Sequence, residues 1–107
     1  MGQPHHELFE RKKDFRHEID LHIKALHADP ASLSGEEMLF CQLRACEQFL
    51  QDAIMCGAGT VYIIHGVGKG RLRDEISRLL RTYREVKTFK NEYHAKYGFG
   101  ATEVELK

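Results

Sequence analysis

Thr60-Val61-Tyr62-Ile63-Ile64-His65 is β-branched or aromatic almost throughout, and it runs straight into Gly66-Val67-Gly68-Lys69-Gly70. Apolar residues then recur at helical spacing through Leu72, Ile76, Leu79, Leu80 and Tyr83. A short continuous apolar run predicts a central strand covered on both faces. The spacing after the glycines predicts an amphipathic helix. A strand, a glycine-rich turn and a helix in immediate succession confine the chain to α/β arrangements, since the helix must pack back onto the sheet.

The remaining elements extend this unit in both directions. Arg16–His22 alternates, with Ile19 and Leu21 on one side and Glu18, Asp20 and His22 on the other, which is a strand pattern. Residues 23–33, with His27, Asp29 and Pro30, read as a loop carrying a turn of helix. Ser34 and Glu37 form a capping box ahead of a second helix, whose stripe is Leu39, Leu43, Cys46, Leu50 and Ile54, widened by Phe49 and Ala53 and stopped at Gly57. Val86–Phe89 and Thr102–Leu106 are two further strands, the last with Val104 and Leu106 inward, and the intervening residues 91–100 are irregular. The order β-α-β-α-β-β predicts a mostly parallel sheet joined by right-handed crossovers, with one antiparallel strand at the short final link. Residues 1–15 read as a polar N-terminal arm with a helical turn near Leu8–Phe15, and residues 16–107 as the single domain. The His5-His6 pair in the arm has no neighbouring ligands and reads as surface.

At 107 residues the chain suits one core, which should bury about two thirds of its unfolded surface without staples. Three cysteines (Cys41, Cys46 and Cys56) with no C-x-x-C pair fit neither a disulfide framework nor a zinc ribbon, and point to a reducing, cytoplasmic setting. No apolar run is long enough to span a membrane and no signal peptide opens the chain, so no membrane partner is expected. The formal net charge is zero, yet residues 1–68 carry 6 basic and 10 acidic side chains while residues 69–107 carry 10 and 6. Within 69–90 eight cations (Lys69, Arg71, Arg73, Arg78, Arg81, Arg84, Lys87 and Lys90) face three acids. Arginines clustered along one helix suit phosphates, although a run of charge is also simply a solvated face.

Three groups of residues could carry chemistry. Gly66, Gly68 and Gly70 lie at a strand–helix junction, where backbone amides at a helix start attract an anion and Lys69 adds a full charge. Arg71 and Arg73 would extend that phosphate track. The spacing matches neither a Walker A loop nor the dinucleotide G-x-G-x-x-G fingerprint. Asp20 and His22 share one face of their strand, a pairing suited to proton transfer. With His65 ending the next strand, all of these would meet at one sheet edge. Asp20, His22 and His65 also make a conceivable facial metal set, but such sets are more often hydrogen-bonded, so no metal is assigned; a divalent ion has no support from ligand spacing. Finally, Tyr97 or Phe99 could stack on a base, or Phe99 could plug the core.

These residues resemble a known pattern. Ile19-Asp20-Leu21-His22 is similar to the LDLHG motif of the small MutS-related (Smr) domain, and His65–Gly70 to its HGxGxG motif. Gly98-Phe99-Gly100-Ala101-Thr102, with Val104 and Leu106, resembles its closing GGxGAT-x-V-x-L. The motifs come in the family's order over roughly residues 16–107, and IHGVGKGRLRDEI looks particularly like the Smr domain at the C-terminus of certain bacterial multidomain proteins. The resemblance implies a two-layer α/β sandwich like the C-terminal domain of a translation initiation factor. It implies nucleic-acid binding through the glycine loop, here Gly66, Gly68, Lys69, Gly70, Arg71 and Arg73 with Gly98, Gly100 and Thr102. In several members it implies endonuclease activity, either nicking DNA in repair or recombination or cutting messenger RNA at stalled ribosomes. Asp20 and His22 would carry the cleavage, with His65 close by. Ile23 and Tyr97 depart from the motif glycines, and both departures bear on cleavage rather than binding.

The expectation is a nucleic-acid-binding domain with endonuclease capacity, acting on DNA or RNA. The alternative is a non-catalytic module for nucleic acid or ribosomes, leaning on Arg78, Arg81, Arg84, Lys87 and Lys90. A protein–protein module would need an exposed apolar stripe that the sequence does not reveal.

Overall fold

The computed structural model describes residues 15–107. The expected arm, with its helical turn and the His5-His6 pair, lies outside the described residues except for Phe15. Phe15 stacks on Phe49 with ring centroids 5.4 Å apart, so it belongs to the domain.

The elements are β1 (Glu18–Asp20), a single helical turn α1 (Ile23–Leu26), a 3-10 turn (Pro30–Ser32), the long helix α2 (Gly35–Met55), β2 (Thr60–Ile64), α3 (Arg71–Leu80), β3 (Val86–Lys90) and β4 (Ala101–Leu106). Helix α2 starts where the capping box places it. The Glu37 amide donates to Ser34 Oγ at 3.1 Å, and the Ser34 amide donates to Glu37 Oε1 at 2.8 Å. These reciprocal bonds satisfy two amides that a helix start otherwise leaves open.

The strands form one sheet in the order β1-β2-β4-β3. Only the β1–β2 pair is parallel; β4 runs antiparallel to both β2 and β3. The expectation of a mostly parallel sheet is therefore corrected. Strand β3 does point the same way as β2, as a crossover requires, but the C-terminal strand inserts between them. The physical reason is burial. Four residues of β4, Ala101, Thr102, Val104 and Leu106, are buried, whereas β3 has none and belongs at the edge.

Both long helices lie on one face, giving two layers. Val61, Ile63, Val104 and Leu106 from the sheet share a core with Cys46, Phe49, Leu50 and Ala53 of α2 and Ile76 and Leu80 of α3. The long helices cover one face of β2. Its outer face presents Tyr62, which packs against the rings of His94 and Tyr97 from the 91–100 segment. Leu39, expected in the α2 stripe, is only half-buried and lies outside the core cluster. Cys46 and Cys56 are buried and all three cysteines are free; burial pushes the Cys46 thiol up to about 12, so it acts as a small hydrophobe. Among the described residues no helix is long and apolar enough to cross a membrane.

Leu50 is fully buried at the centre of this core. Leu50→Ala should lower the unfolding free energy by about 2–5 kcal/mol, through lost burial and the cavity left behind, measured by urea denaturation.

Candidate functional site

Strands β1 and β2 are parallel, so their carboxyl ends meet at one edge of the sheet, and the chain leaves each of them into the site. The β1 end is held by α2: Gln42 Nε2 donates to the Leu21 carbonyl at 2.9 Å, while Leu21 itself is fully buried. The next residue, His22, is the N-cap of α1 and turns outward. Its backbone amide donates to Asp20 Oδ1 at 2.9 Å, and its ring Nδ1 meets the same oxygen at 2.6 Å. A carboxylate oxygen can only accept, so the Nδ1 proton is committed to Asp20 and the Nε2 atom is left for chemistry. Burial pushes the Asp20 carboxyl upward, but the amide, ring and charge of His22 together hold it below its usual range. Asp20 is thus an anion that orients and steadies the imidazole.

The β2 end leads into the glycine loop. Gly66 has φ +82°, a conformation that favours glycine. A Cβ there would lie 2.7 Å from His22 Nε2, so the loop backbone passes directly against the histidine. Behind it, the amides of His65 and Gly66 both donate to the Gly100 carbonyl, at 2.8 and 2.9 Å. A Cβ on Gly100 would come within 3.3 Å of Gly66 Cα, so the two backbones pack glycine on glycine. Gly70, at φ +86°, opens α3 without a side-chain cap, which leaves the amides of the first turn free of side-chain partners.

His22, His65, the loop from Gly66 to Gly70, Arg71, Leu72, Arg73 and Phe99 line one cleft of about 290 Å³. The structure therefore brings together the acid–imidazole pair and the glycine loop that the sequence set far apart. Lys69 forms no ion pair with any described residue. Arg73 lies over Gly70 and meets Asp74 at 3.4 Å, while Arg71 reaches back to Glu36 at 3.0 Å.

Of the remaining candidates, His65 lines the cleft wall and the others back it. His65 Nδ1 donates to the Gly66 carbonyl at 2.9 Å, and its Nε2 bonds the hydroxyl of Thr102 at 3.0 Å. Thr102 is fully buried and continues the chain of contacts to Asn91, which donates to Ser77 at 3.2 Å. Burial, opposed by the Gly66 bond and aided by the neighbouring Arg73 guanidinium and His22 ring, holds the His65 pKa below 6.5. Gly98, at φ +62°, closes a tight turn in which the His94 and Gly98 amides and carbonyls pair at 2.7 and 2.8 Å. With Nδ1 of His22 on Asp20 and both nitrogens of His65 engaged, these three do not form a facial set. Among the described residues no group of three or more His, Cys, Asp or Glu is placed to hold a metal. Gln42 and Asn91, which brace the two strand ends, carried no signal in the sequence, because each contact joins residues remote along the chain.

Both motif departures are accommodated. Ile23 is the first residue of α1 and has no positive φ, so no glycine is needed there. Tyr97 points away from the cleft, with its hydroxyl donating to Glu18 Oε1 at 2.6 Å on the outer sheet face.

A glycine loop beside a carboxylate-steadied imidazole, at the carboxyl ends of two parallel strands, defines a small α/β domain with a cleft at that sheet edge. The chain belongs to the Smr domain family, whose model matches residues 42–107. It is 37% identical over 99 residues to Endonuclease MutS2 of Pelotomaculum thermopropionicum, covering 92% of this chain and 11% of that protein. It is 45% identical over 65 residues to Endonuclease MutS2 of Brevibacillus brevis, covering 61% of this chain and 8% of that protein. It thus spans about a tenth of the length of these curated relatives. The crystal structure of the Smr domain of Thermus thermophilus MutS2 matches with a TM-score of 0.62 and 26% identity, covering 86% of this chain and 99% of that one. YdaL, a stand-alone small MutS-related protein from Escherichia coli, matches in fold with a TM-score of 0.56 at 20% identity, covering 95% of this chain and 76% of that one. The likeness to a translation initiation factor rests on the family resemblance alone.

Two measurements check this geometry. Gly66→Ala should cost about 1–2 kcal/mol from the left-handed backbone alone and should push the His22 ring aside, seen as a shifted His22 ring resonance in NMR spectra. His65 binds its proton more weakly folded than unfolded. Between its lowered pKa and 6.5 the unfolded chain therefore holds more protons, and stability falls as pH drops through that window. In His65→Gln this part of the acid loss should vanish in urea denaturation across the same pH range.

Proposed function

We infer that this domain binds nucleic acid through the glycine cleft and cuts its phosphodiester backbone. The observation that carries the inference is the His22 Nε2 atom, freed by the Nδ1 bond to Asp20 and set against Gly66 in a cleft that also holds Lys69 and Arg73. The endonuclease names of the MutS2 relatives support it. A phosphate seated over Gly66, Gly68 and the first amides of α3 would meet a positive dipole end and Lys69 together. Neutral His22 then has a lone pair on Nε2 to accept a proton from the attacking group. With RNA that group is the neighbouring 2′-hydroxyl: its oxygen bonds to phosphorus, the P–O5′ bond breaks, the 5′-oxygen takes back the proton held on His22 Nε2, and a cyclic phosphate remains. With DNA, water attacks instead, one P–O ester bond breaks, the leaving oxygen takes that proton, and a terminal phosphate remains. Asp20 stabilises the imidazolium formed in either case. His65, with both nitrogens engaged, acts as a positioning residue that shapes the Gly66 carbonyl from behind. Gly98, Gly100 and Thr102 support the loop in the same sense. The free cysteines favour a reducing, cytoplasmic setting.

A non-catalytic nucleic-acid or ribosome-binding module is the second reading. It draws on the later cations, but several of them are engaged. Arg78 pairs with Glu75 at 2.5 Å, Lys90 with Glu103 at 3.4 Å, and Arg81 lies over the Phe89 ring.

Labelled single- and double-stranded DNA and RNA, with and without chelator, separate these readings when binding and cutting are scored independently. His22→Ala should lower cutting by about 100-fold or more with binding unchanged. Lys69→Ala should weaken binding to all strands and reduce its salt dependence by about one phosphate contact. Unchanged cutting by His22→Ala would remove His22 from the mechanism. Absence of cutting under every condition, with binding intact, would favour the second reading.

A further inference from the structure

Among the described residues the large hydrophobics left exposed are Phe40, Met55, Val67, Tyr93 and Phe99. Two of these five line the cleft and a third packs against one of them. Val67 and Phe99 line it, and Tyr93 packs against Phe99 with ring centroids 5.3 Å apart and planes inclined at 65°. Phe99 is 62% exposed and Tyr93 65%, so Phe99 is no core plug. The turn that carries it is hydrogen-bonded on both sides, by the paired His94 and Gly98 backbones and by the Gly100 carbonyl that receives the His65 and Gly66 amides. An apolar aromatic surface beside a lysine with no ion pair among the described residues and an uncapped helix start calls for a ligand with a flat π-face and a phosphate close together.

Resting on the reading of the cleft as a phosphodiester site, we propose that Phe99, braced by Tyr93, is a stacking platform for an unpaired base next to the bound phosphate. It makes the domain selective for single-stranded or locally unpaired nucleic acid. Inside a duplex each base face is already covered by its neighbours, and only groove edges and backbone are open. A ring that stacks must therefore meet a base that is unpaired or displaced. Stacking on an aromatic is indifferent to base identity, so the platform selects strand state rather than sequence. Lys69 and the loop amides would hold backbone of either kind, while Phe99 would add affinity only where a base face is available.

Binding of three probes of equal length tests this: a single strand, the matching duplex, and an abasic strand that keeps every phosphate, each as deoxyribo- and, for the first two, ribonucleotides. The intact protein should bind the single strand about tenfold or more tighter than the abasic strand. Phe99→Ala should bring the single strand to the abasic level and leave duplex and abasic affinities unchanged; Tyr93→Ala should lose part of the same preference. The chain contains no tryptophan, so Phe99→Trp places one indole reporter on the platform. It should retain the preference, and its fluorescence should be quenched by the single strand and not by the abasic one. Equal affinity for single and abasic strands, or an unquenched indole on a bound single strand, overturns the platform while leaving the phosphate cleft intact. Failure of all three probes to bind overturns the cleft reading and the platform with it.

Discussion

The carbonyl of Gly100 receives two amides, those of His65 and Gly66, and this shared acceptor ties the end of β2 to the start of β4. Because neither Gly66 nor Gly100 has a side chain, the two backbones approach closely enough for the loop to fold back over the end of β1. There it meets His22, which Leu21 and Gln42 anchor from below. A side chain at Gly66 would push the imidazole from the loop, and one at Gly100 would crowd the Gly66 backbone. The cleft thus depends on a packing distance between backbones, and its polar chemistry follows from that distance.

Electrostatics then distribute the roles. The chain has no net charge, so attraction of an anion comes from local arrangement rather than from the whole molecule. Many of its charges are spent on one another: Arg71 on Glu36, Arg78 on Glu75, Lys90 on Glu103 and Lys96 on Glu18. Such exposed pairs add little stability, but they leave less charge for a ligand. Lys69 is set apart from them, with no ion pair among the described residues, in the exposed stretch of the glycine loop. The outer face of the sheet has its own closed polar cluster, where Tyr97 and Lys96 bond Glu18 and hold its carboxyl below the usual range. This explains how Tyr97 can replace a motif glycine without entering the cleft.

Much of the molecule was legible from the chain because the signals were local. The capping box, the apolar stripe of α2, the β2 run and the alternation of β4 are all properties of neighbouring residues, and the elements appear within a few positions of where they were expected. The order of the strands was not legible. Alternation in Thr102–Leu106 says which side chains face inward, and says nothing of which strands lie alongside. The insertion of β4 between β2 and β3 is decided by competition for the most buried place in the sheet.

The candidate site divides along the same line. Residue types and spacing alone determined that a carboxylate and an imidazole would share a strand end, that a glycine-rich turn would open a helix, and that cations would follow it. Only the tertiary structure decided that these meet in one cleft, that His22 offers a free Nε2 while His65 is occupied on both sides, that Thr102 is buried behind the loop, and that Phe99 stands open at the rim. Each of those outcomes turns on distances between residues remote along the chain, which no local pattern encodes.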